Sequence, residues 1–353
     1  MSSMKEKQHR HITLKEVAEH AGVSRATASL VLRGSQSISR ATREKVLDSM
    51  RDLGYVYDRV AASLRSKSSS TVGLIIMELA NPFYSELLVG IHQELDRLGQ
   101  TVILGTTFDS PATQDRLLST MLEHRVGGII LSAVSGSVGG SIERVRRLGV
   151  PVVLVGRRVG GVECDYVGVD NVLGGQMAAD HLIRGGHRRI AFLGGPSRLT
   201  SSRERRQGYY NALLWAGIEV DDSLVTESSA TRERGMESIE RILRTDHPPT
   251  AIFCYNDVMA IGAMMKMREI GFTPGRDIAV VGFDDIPDAA ICTPKLTTIS
   301  SSIRLMGKEA ATLLRSRIDG LSSEPQNIIV QPKLVVRESC SYSPSQTARL
   351  HRL

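Results

Sequence analysis

Aromatic residues make up only 4% of this 353-residue chain, and Trp215 is the single tryptophan. No apolar run reaches the roughly 18 residues that a bilayer-spanning helix needs, so no membrane partner is expected. The four cysteines, Cys164, Cys254, Cys292 and Cys340, include no CxxC pair. That spacing argues for reduced thiols in a cytoplasm, not for a disulfide framework or a zinc site. The first ten residues hold no apolar stretch, so no secretory signal is expected. Catalytic signatures are missing too: there is no GxxxxGKS/T, HExxH or GxSxG, and no GxGxxG after a strand. These absences leave no catalytic residue, cofactor or metal site to nominate, and they disfavour an enzyme.

What is present is an ordinary globular composition, 41% hydrophobic and 23% charged, over a length that exceeds one core and predicts two or three domains. Charge is unevenly placed. Residues 1–67 hold 13 Lys/Arg against 7 Asp/Glu, whereas the remaining 286 hold 31 of each sign. The whole net charge of +6 therefore sits in the first fifth of the chain. A small basic module on a neutral body suggests a polyanionic partner for that module alone, the alternative being a solvated basic tail.

Within that fifth, residues 1–10 have no periodicity and read as a disordered arm. Thr13 to Glu16 is a capping box opening a short helix that Gly22 ends, with Val23 plugging the core. Ser24 can cap a second helix running to about Leu32, and a third fits Ser39 to Leu53 before Gly54. Three short helices in about 45 residues, the first two joined by a tight turn, predict a helix-turn-helix unit over residues 11–57, marginally stable alone. The front of its second helix is the part that enters a major groove. Ser24, Thr27 and Ser29 suit phosphate contacts or close approach. Arg25 has the fork geometry for guanine O6 and N7, or simply for a phosphate. Ala26 can touch only a thymine methyl or nothing.

Residues 58–70 combine one or two possible helical turns with a Ser-rich linker; so short a helix needs a partner chain or a ligand to persist. Beyond it, apolar runs at 72–77, 101–105, 128–131, 150–155, 189–193, 250–254 and 278–283 alternate with amphipathic stretches at 82–98, 112–124, 173–184, 205–215, 232–243 and 258–270. That alternation predicts an α/β body with parallel sheets covered on both faces, and its size predicts two lobes. Ligands sit at the carboxyl ends of such strands, so the loops after Met77, Leu193, Cys254 and Phe283 should surround a cleft. The pair Asp284-Asp285 ends a strand with side chains pointing apart, which favours a ligand contact or cap over acid/base work. His181 and His187, lacking partners at metal spacing, read as surface or capping residues.

The segments Thr13–Ser24, Thr42–Val46, Leu53–Tyr55 and Arg59–Ala61 resemble the headpiece of the lactose/galactose repressor (LacI/GalR) family of bacterial transcriptional regulators. The resemblance continues through Asn81–Tyr84, Arg125–Ile130, Pro249–Ala251, Asn256-Asp257, Gly282–Asp285 and Leu296–Ile299, and covers residues 11–340. It implies a helix-turn-helix headpiece joined to a two-lobed, periplasmic-binding-protein-like (type I) core over residues 71–341, followed by a tail at 342–353. It also implies a homodimer in the bacterial cytoplasm, associated with the nucleoid. That dimer would bind a pseudopalindromic double-stranded operator and be controlled by a small-molecule effector, usually a sugar or a nucleobase.

By the same resemblance, DNA contacts fall on Ser24, Arg25, Ala26, Thr27, Ser29, Leu30, Arg33, Arg59 and Leu64. Leu64 matches a leucine that wedges into the minor groove, where an apolar side chain unstacks a base step and bends the duplex; the alternative is packing against its symmetry mate. Leu30 departs from the common Arg or His, so the operator sequence does not transfer. Asp58 departs as well, and suits the site only as a helix cap. The resemblance gives Arg205, Asn256 and Asp284 as effector hydrogen-bonders. Phe83 and Tyr84, in the first cleft loop, could stack on a sugar ring or merely pack the lobes. Gly156 stands where some relatives carry an aspartate, and Arg157 could substitute. The cation-rich stretch Gly195–Arg205 could favour a phosphorylated or carboxylated effector, or be a solvated loop. A leucine-heptad tail for tetramers does not fit after Ser341. The alternative function is a small-molecule binding protein with no regulatory role.

Overall fold

Thr13 and Glu16 cap each other at the start of α1 (Leu14–His20). The threonine hydroxyl accepts from the Glu16 N–H at 3.4 Å, and the glutamate accepts from the Thr13 N–H at 2.7 Å. In this computed structural model, which describes residues 12–32, 34–56, 69–321 and 324–340, the chain divides into two compact units, 1–67 and 68–353. In the first unit α2 (Arg25–Leu32) starts on Ser24, whose Oγ accepts from the Thr27 N–H at 3.0 Å. Helix α3 (Arg40–Leu53) starts on Ser39 and stops at Gly54, which takes a left-handed φ of 64° that costs glycine little. Val17, Ala18, Ala28, Val31, Val46 and Met50 form the core, small enough for stability to be marginal. The arm, the 57–68 segment and the 341–353 tail lie outside the described residues, and with them Arg33, Asp58, Arg59 and Leu64.

The second unit holds two six-stranded sheets. The first has the order β11-β5-β4-β3-β1-β2, made of β1 (Thr71–Ile76), β2 (Thr101–Thr106), β3 (Gly128–Leu131), β4 (Val152–Val155), β5 (Asp165–Val169) and β11 (Asn327–Val330). The second has the order β12-β10-β9-β8-β6-β7, from β6 (Ile190–Gly194), β7 (Val225–Glu227), β8 (Ala251–Cys254), β9 (Ala279–Asp284), β10 (Thr297–Ser300) and β12 (Lys333–Val335). All neighbours are parallel except β12, which runs antiparallel to β10, so the expected wholly parallel sheets hold everywhere but this edge. The inner strands β3, β4, β8 and β9 are buried along their whole length as largely apolar runs, as a sheet covered on both faces requires.

The chain crosses between the lobes three times, after β5, β10 and β11. Around the first sheet lie α4 (Pro82–Arg97), α5 (Pro111–Glu123), α6 (Gly139–Arg147) and α12 (Ile303–Ile318); around the second lie α7 (Asn171–Arg184), α8 (Thr200–Trp215), α9 (Arg232–Leu243) and α10 (Asp257–Glu269), with the short α11 (Pro287–Ile291) after β9. Among the described residues no helix is long and apolar enough to cross a membrane. His187 differs from expectation: it is 2% exposed, with Nδ1 at 2.9 Å from the Thr250 hydroxyl. Burial pushes its imidazole down to about 4, because the charged form loses its water.

Three helix pairs meet backbone to backbone through reciprocal glycines. A Cβ on Gly90 of α4 would lie 2.2 Å from the Arg304 carbonyl oxygen of α12, and one on Gly307 would lie 2.5 Å from that of Leu87. Gly175 of α7 and Gly208 of α8 would strike the Arg205 and Val172 carbonyls at 2.2 and 2.1 Å. Gly235 of α9 and Gly262 of α10 repeat the pattern at 2.2 and 2.0 Å. A methyl there meets backbone, which cannot rotate aside, so the helices must separate. Gly175→Ala is therefore expected to cost about 1–3 kcal/mol and to lower the melting temperature by several degrees in calorimetry. Gly140→Ala, whose Cβ meets nothing within 4 Å, is expected to leave the melting temperature unchanged or raise it.

Candidate functional site

Helix α2 buries Ala28 and Val31 against the headpiece core and turns the opposite side out. Arg25 and Ala26 are exposed, and Ser29 and Leu30 partly so. At three- and four-residue spacing they share one stripe. Arg25 has no hydrogen bond or ion pair among the described residues, so its whole donor fork is available. Ser24 and Thr27 are committed to each other: their hydroxyls lie 2.9 Å apart and Ser24 caps the helix. Four of the nine nominated residues thus form the outward stripe, two form its capped start, and three lie outside the described residues.

In the second unit the four loops expected to surround a cleft do so. The cavity between the lobes is lined from one side by the loop after β1, with Glu78, Asn81, Phe83 and Tyr84, and by Asp109 and Arg157. From the other side come Arg198 and Arg205, Tyr255 and Asn256 after β8, and Asp284 at the end of β9. All five residues nominated for the effector are therefore brought together.

Arg205 is held on every edge although it is only 5% exposed. Its Nε donates to Asn171 Oδ1 at 2.9 Å, Nη1 to the Tyr255 carbonyl at 2.6 Å, and Nη2 to Asp284 Oδ1 at 3.2 Å. The guanidinium lies 3.5 Å from the Phe283 ring centroid and 4.8 Å from that of Tyr255. A guanidinium has five N–H donors, so two remain for a ligand, already aimed by the other three. Burial pushes the Asp284 carboxyl up and Arg205 pulls it back, leaving it near 6.

Asn256 spends its side-chain oxygen on the N-terminus of α10, accepting from the Met259 N–H at 3.0 Å, so the amide Nδ2 is the part it can offer. Asp284 and Asp285 diverge as expected, the first to Arg205 and the second to Arg337 at 2.7 Å. Both sit at positive φ, 114° and 61°, which is strained for a residue with a Cβ. Asp257 pins that loop. Its carboxylate accepts from the Ile286 N–H at 2.9 Å and the Thr298 hydroxyl at 2.5 Å, and complete burial raises its pKa well above the usual carboxylate range.

On the facing lobe Phe83 packs edge-on to Tyr84 with centroids 5.2 Å apart. Tyr84 is 4% exposed and Phe83 only partly buried, so Phe83 is the ring a ligand can reach. Arg157, next to Gly156 in the chain, donates to Asp109 Oδ1 at 3.1 Å and to the Ala133 carbonyl at 3.3 Å. Arg198 reaches Asp109 Oδ2 from the opposite lobe at 3.1 Å. Burial pushes the Asp109 carboxyl up, but the Ser135 N–H and both arginines override it and hold it below the usual range. Asp109, Tyr255, Asn171 and Glu78 escaped the sequence reading, and Arg198 entered it only within the cation-rich stretch Gly195–Arg205. Tyr255 was within reach of it, since it follows strand β8 directly, where the strand-end rule places ligands.

Comparison with known proteins places both units. Residues 13–58 match the bacterial regulatory proteins of the lacI family, and residues 179–340 match the periplasmic binding protein-like domain. The HTH-type transcriptional regulator CelR of Thermobifida fusca is 36% identical over 94% of this chain and 98% of its own length. The transcriptional regulator CelR–cellobiose complex superposes with a TM-score of 0.71 at 35% identity, covering 93% of this chain and all of that one. The Lac repressor dimer bound to operator and an anti-inducer gives a TM-score of 0.81 at 29% identity, covering 94% and 99%. With a matched headpiece, a matched effector-domain fold and end-to-end similarity to a named regulator, the chain belongs to the lacI family of bacterial regulatory proteins.

Proposed function

We propose that this protein is a sequence-specific DNA-binding transcriptional repressor, acting as a homodimer in the cytoplasm, whose grip on a pseudopalindromic operator is set by a small carbohydrate effector. Residues 11–57 read the duplex, 58–70 connect, and 71–341 bind the effector and pair the subunits. The reading rests above all on Arg205, a buried guanidinium fixed by three acceptors with two donors left for the cleft, beside the Asp284 carboxylate and the Asn256 amide. Fixed donors and acceptors at an aromatic wall suit vicinal hydroxyls, and charge-assisted bonds to them are the stronger kind. CelR, solved with cellobiose, supports the carbohydrate class, and the Lac repressor dimer on its operator supports the two-headed engagement of DNA. No reaction is assigned to the cleft.

On the DNA side Arg25, Ala26, Ser29 and Leu30 would face base edges from α2, with Ser24 and Thr27 holding the start of that helix, and Arg33, Arg59 and Leu64 adding contacts. Effector binding acts through the difference in its affinity for the open and closed cleft. Arg198 on Asp109 is a contact that opening would break. A binding protein with no regulatory role would make no use of the exposed α2 stripe.

Two outcomes follow. Selection from random duplexes is expected to return a pseudopalindrome, and Arg25→Ala to lose roughly 1–3 kcal/mol of discrimination at one position per half-site; a uniform loss across sequences would make Arg25 a phosphate contact, and no sequence preference at all would end the repressor reading. In calorimetric titration, affinity for the sugar is expected to fall as pH drops through about 6, where Asp284 takes up a proton and ceases to be a charged acceptor. Asp284→Asn should bind weakly with a flat profile between pH 5 and 7, and Arg205→Lys should abolish binding.

A further inference from the structure

The cation-rich stretch Gly195–Arg205 pointed to an anionic effector as one possibility, and the side-chain pairing points the other way. Three guanidiniums line the cleft, those of Arg157, Arg198 and Arg205, and each is bonded to a carboxylate that also lines it. Asp109 takes the first two and Asp284 the third. Two further arginines nearby, Arg158 and Arg203, are engaged elsewhere. Arg158 donates to Asn327 at 2.9 Å and lies over the Tyr166 ring, and Arg203 donates to the Ser197 carbonyl at 2.8 Å. The third lining carboxylate, Glu78, has no hydrogen bond or ion pair among the described residues and is partly exposed. The lining therefore carries three charges of each sign, and the charge left without a partner is negative.

From this we infer that the cleft selects an uncharged polyhydroxyl ligand, and that Glu78 is the residue that rejects phosphorylated and carboxylated analogues. The inference rests on the carbohydrate reading above and narrows it. A sugar phosphate brings between one and two negative charges. It would have to leave them facing Glu78, compete with Asp109 for Arg157 and Arg198, or take Arg205 from Asp284 and strand a buried carboxylate, and a buried charge without its partner is strongly unfavourable. A neutral polyol meets neither penalty. Its hydroxyls can donate to Glu78 and to the remaining oxygen of Asp284, and accept from the two spare N–H groups of Arg205.

The test is titration calorimetry on the full-length dimer with matched pairs: glucose and glucose 6-phosphate, cellobiose and its 6′-phosphate, ribose and ribose 5-phosphate, with gluconate as the carboxylate. For whichever sugar binds, the neutral form is expected to bind at least about tenfold tighter than its phosphate. That ratio should shrink as salt rises from low to high, and should fall several-fold in Glu78→Gln. Glu78→Gln is expected to fold normally, since no partner is lost. A phosphate or carboxylate that binds tighter than its neutral counterpart overturns the inference and leaves the carbohydrate reading standing. A ratio unmoved by Glu78→Gln overturns the role of Glu78. Failure of every sugar in both forms overturns the carbohydrate reading itself, and the inference with it.

Discussion

The Arg205 guanidinium is the constraint on which the effector lobe turns. A cation so deeply buried is tolerated only when its charge and its donors are met, and here they are met by Asn171, the Tyr255 carbonyl and Asp284, with Phe283 on its face. Those partners come from the start of α7, the end of β8 and the end of β9. One side chain therefore sets the relative positions of three strand-end loops. Asn256, beside Tyr255, and the strained Asp284-Asp285 turn inherit their places from it, with Asp257 bracing the same turn from below.

The glycine-paired helices make that arrangement stiff. Arg205 sits on α8, whose backbone touches α7 at Gly175 and Gly208, so the guanidinium is carried by two helices acting as one body. The first lobe has its own rigid pair, α4 against α12, and Phe83 stands in the first turn of α4. Between the two stiff bodies run three strand-to-element crossings, and across the mouth the Asp109–Arg198 ion pair is a contact that opening would break. Stiff lobes on a three-stranded connection convert a small change of contacts in the cleft into a change of lobe angle, which is what an effector-controlled regulator requires.

Much of this was legible in the residues. The headpiece helices followed from Thr13, Ser24, Ser39 and Gly54, because caps and left-handed glycines act locally and sequence reports local effects well. The long buried strands and the helices over 82–98, 173–184 and 232–243 followed from periodicity. The missed strands have physical reasons. β7, β11 and β12 are three or four residues long and lie at sheet edges, β10 reads as polar Thr-Thr-Ile-Ser although both threonines are fully buried, and β5 opens on Asp165 and carries Gly168, although all five of its residues are buried. Helix α6 opens on two glycines, which argue against a helix. Phe83, Tyr84, Arg205, Asn256 and Asp284 were reachable through strand-end position and family resemblance. Asp109 was not, because its role arises from pairing across the cleft with Arg198, about ninety residues further along the chain; Arg198 was legible only as one cation of the Gly195–Arg205 stretch, and Glu78 only as part of the loop after Met77.

The account stands or falls on coupling between the cleft and the headpiece. The direct measurement is the dissociation constant of the full-length dimer for its selected duplex, by fluorescence anisotropy, with and without a saturating sugar that calorimetry has shown to bind. The account predicts a shift of roughly five- to 150-fold, lost in Arg205→Lys while the sugar-free affinity for DNA is kept. A sugar that binds the cleft and leaves the affinity for DNA unchanged would contradict it.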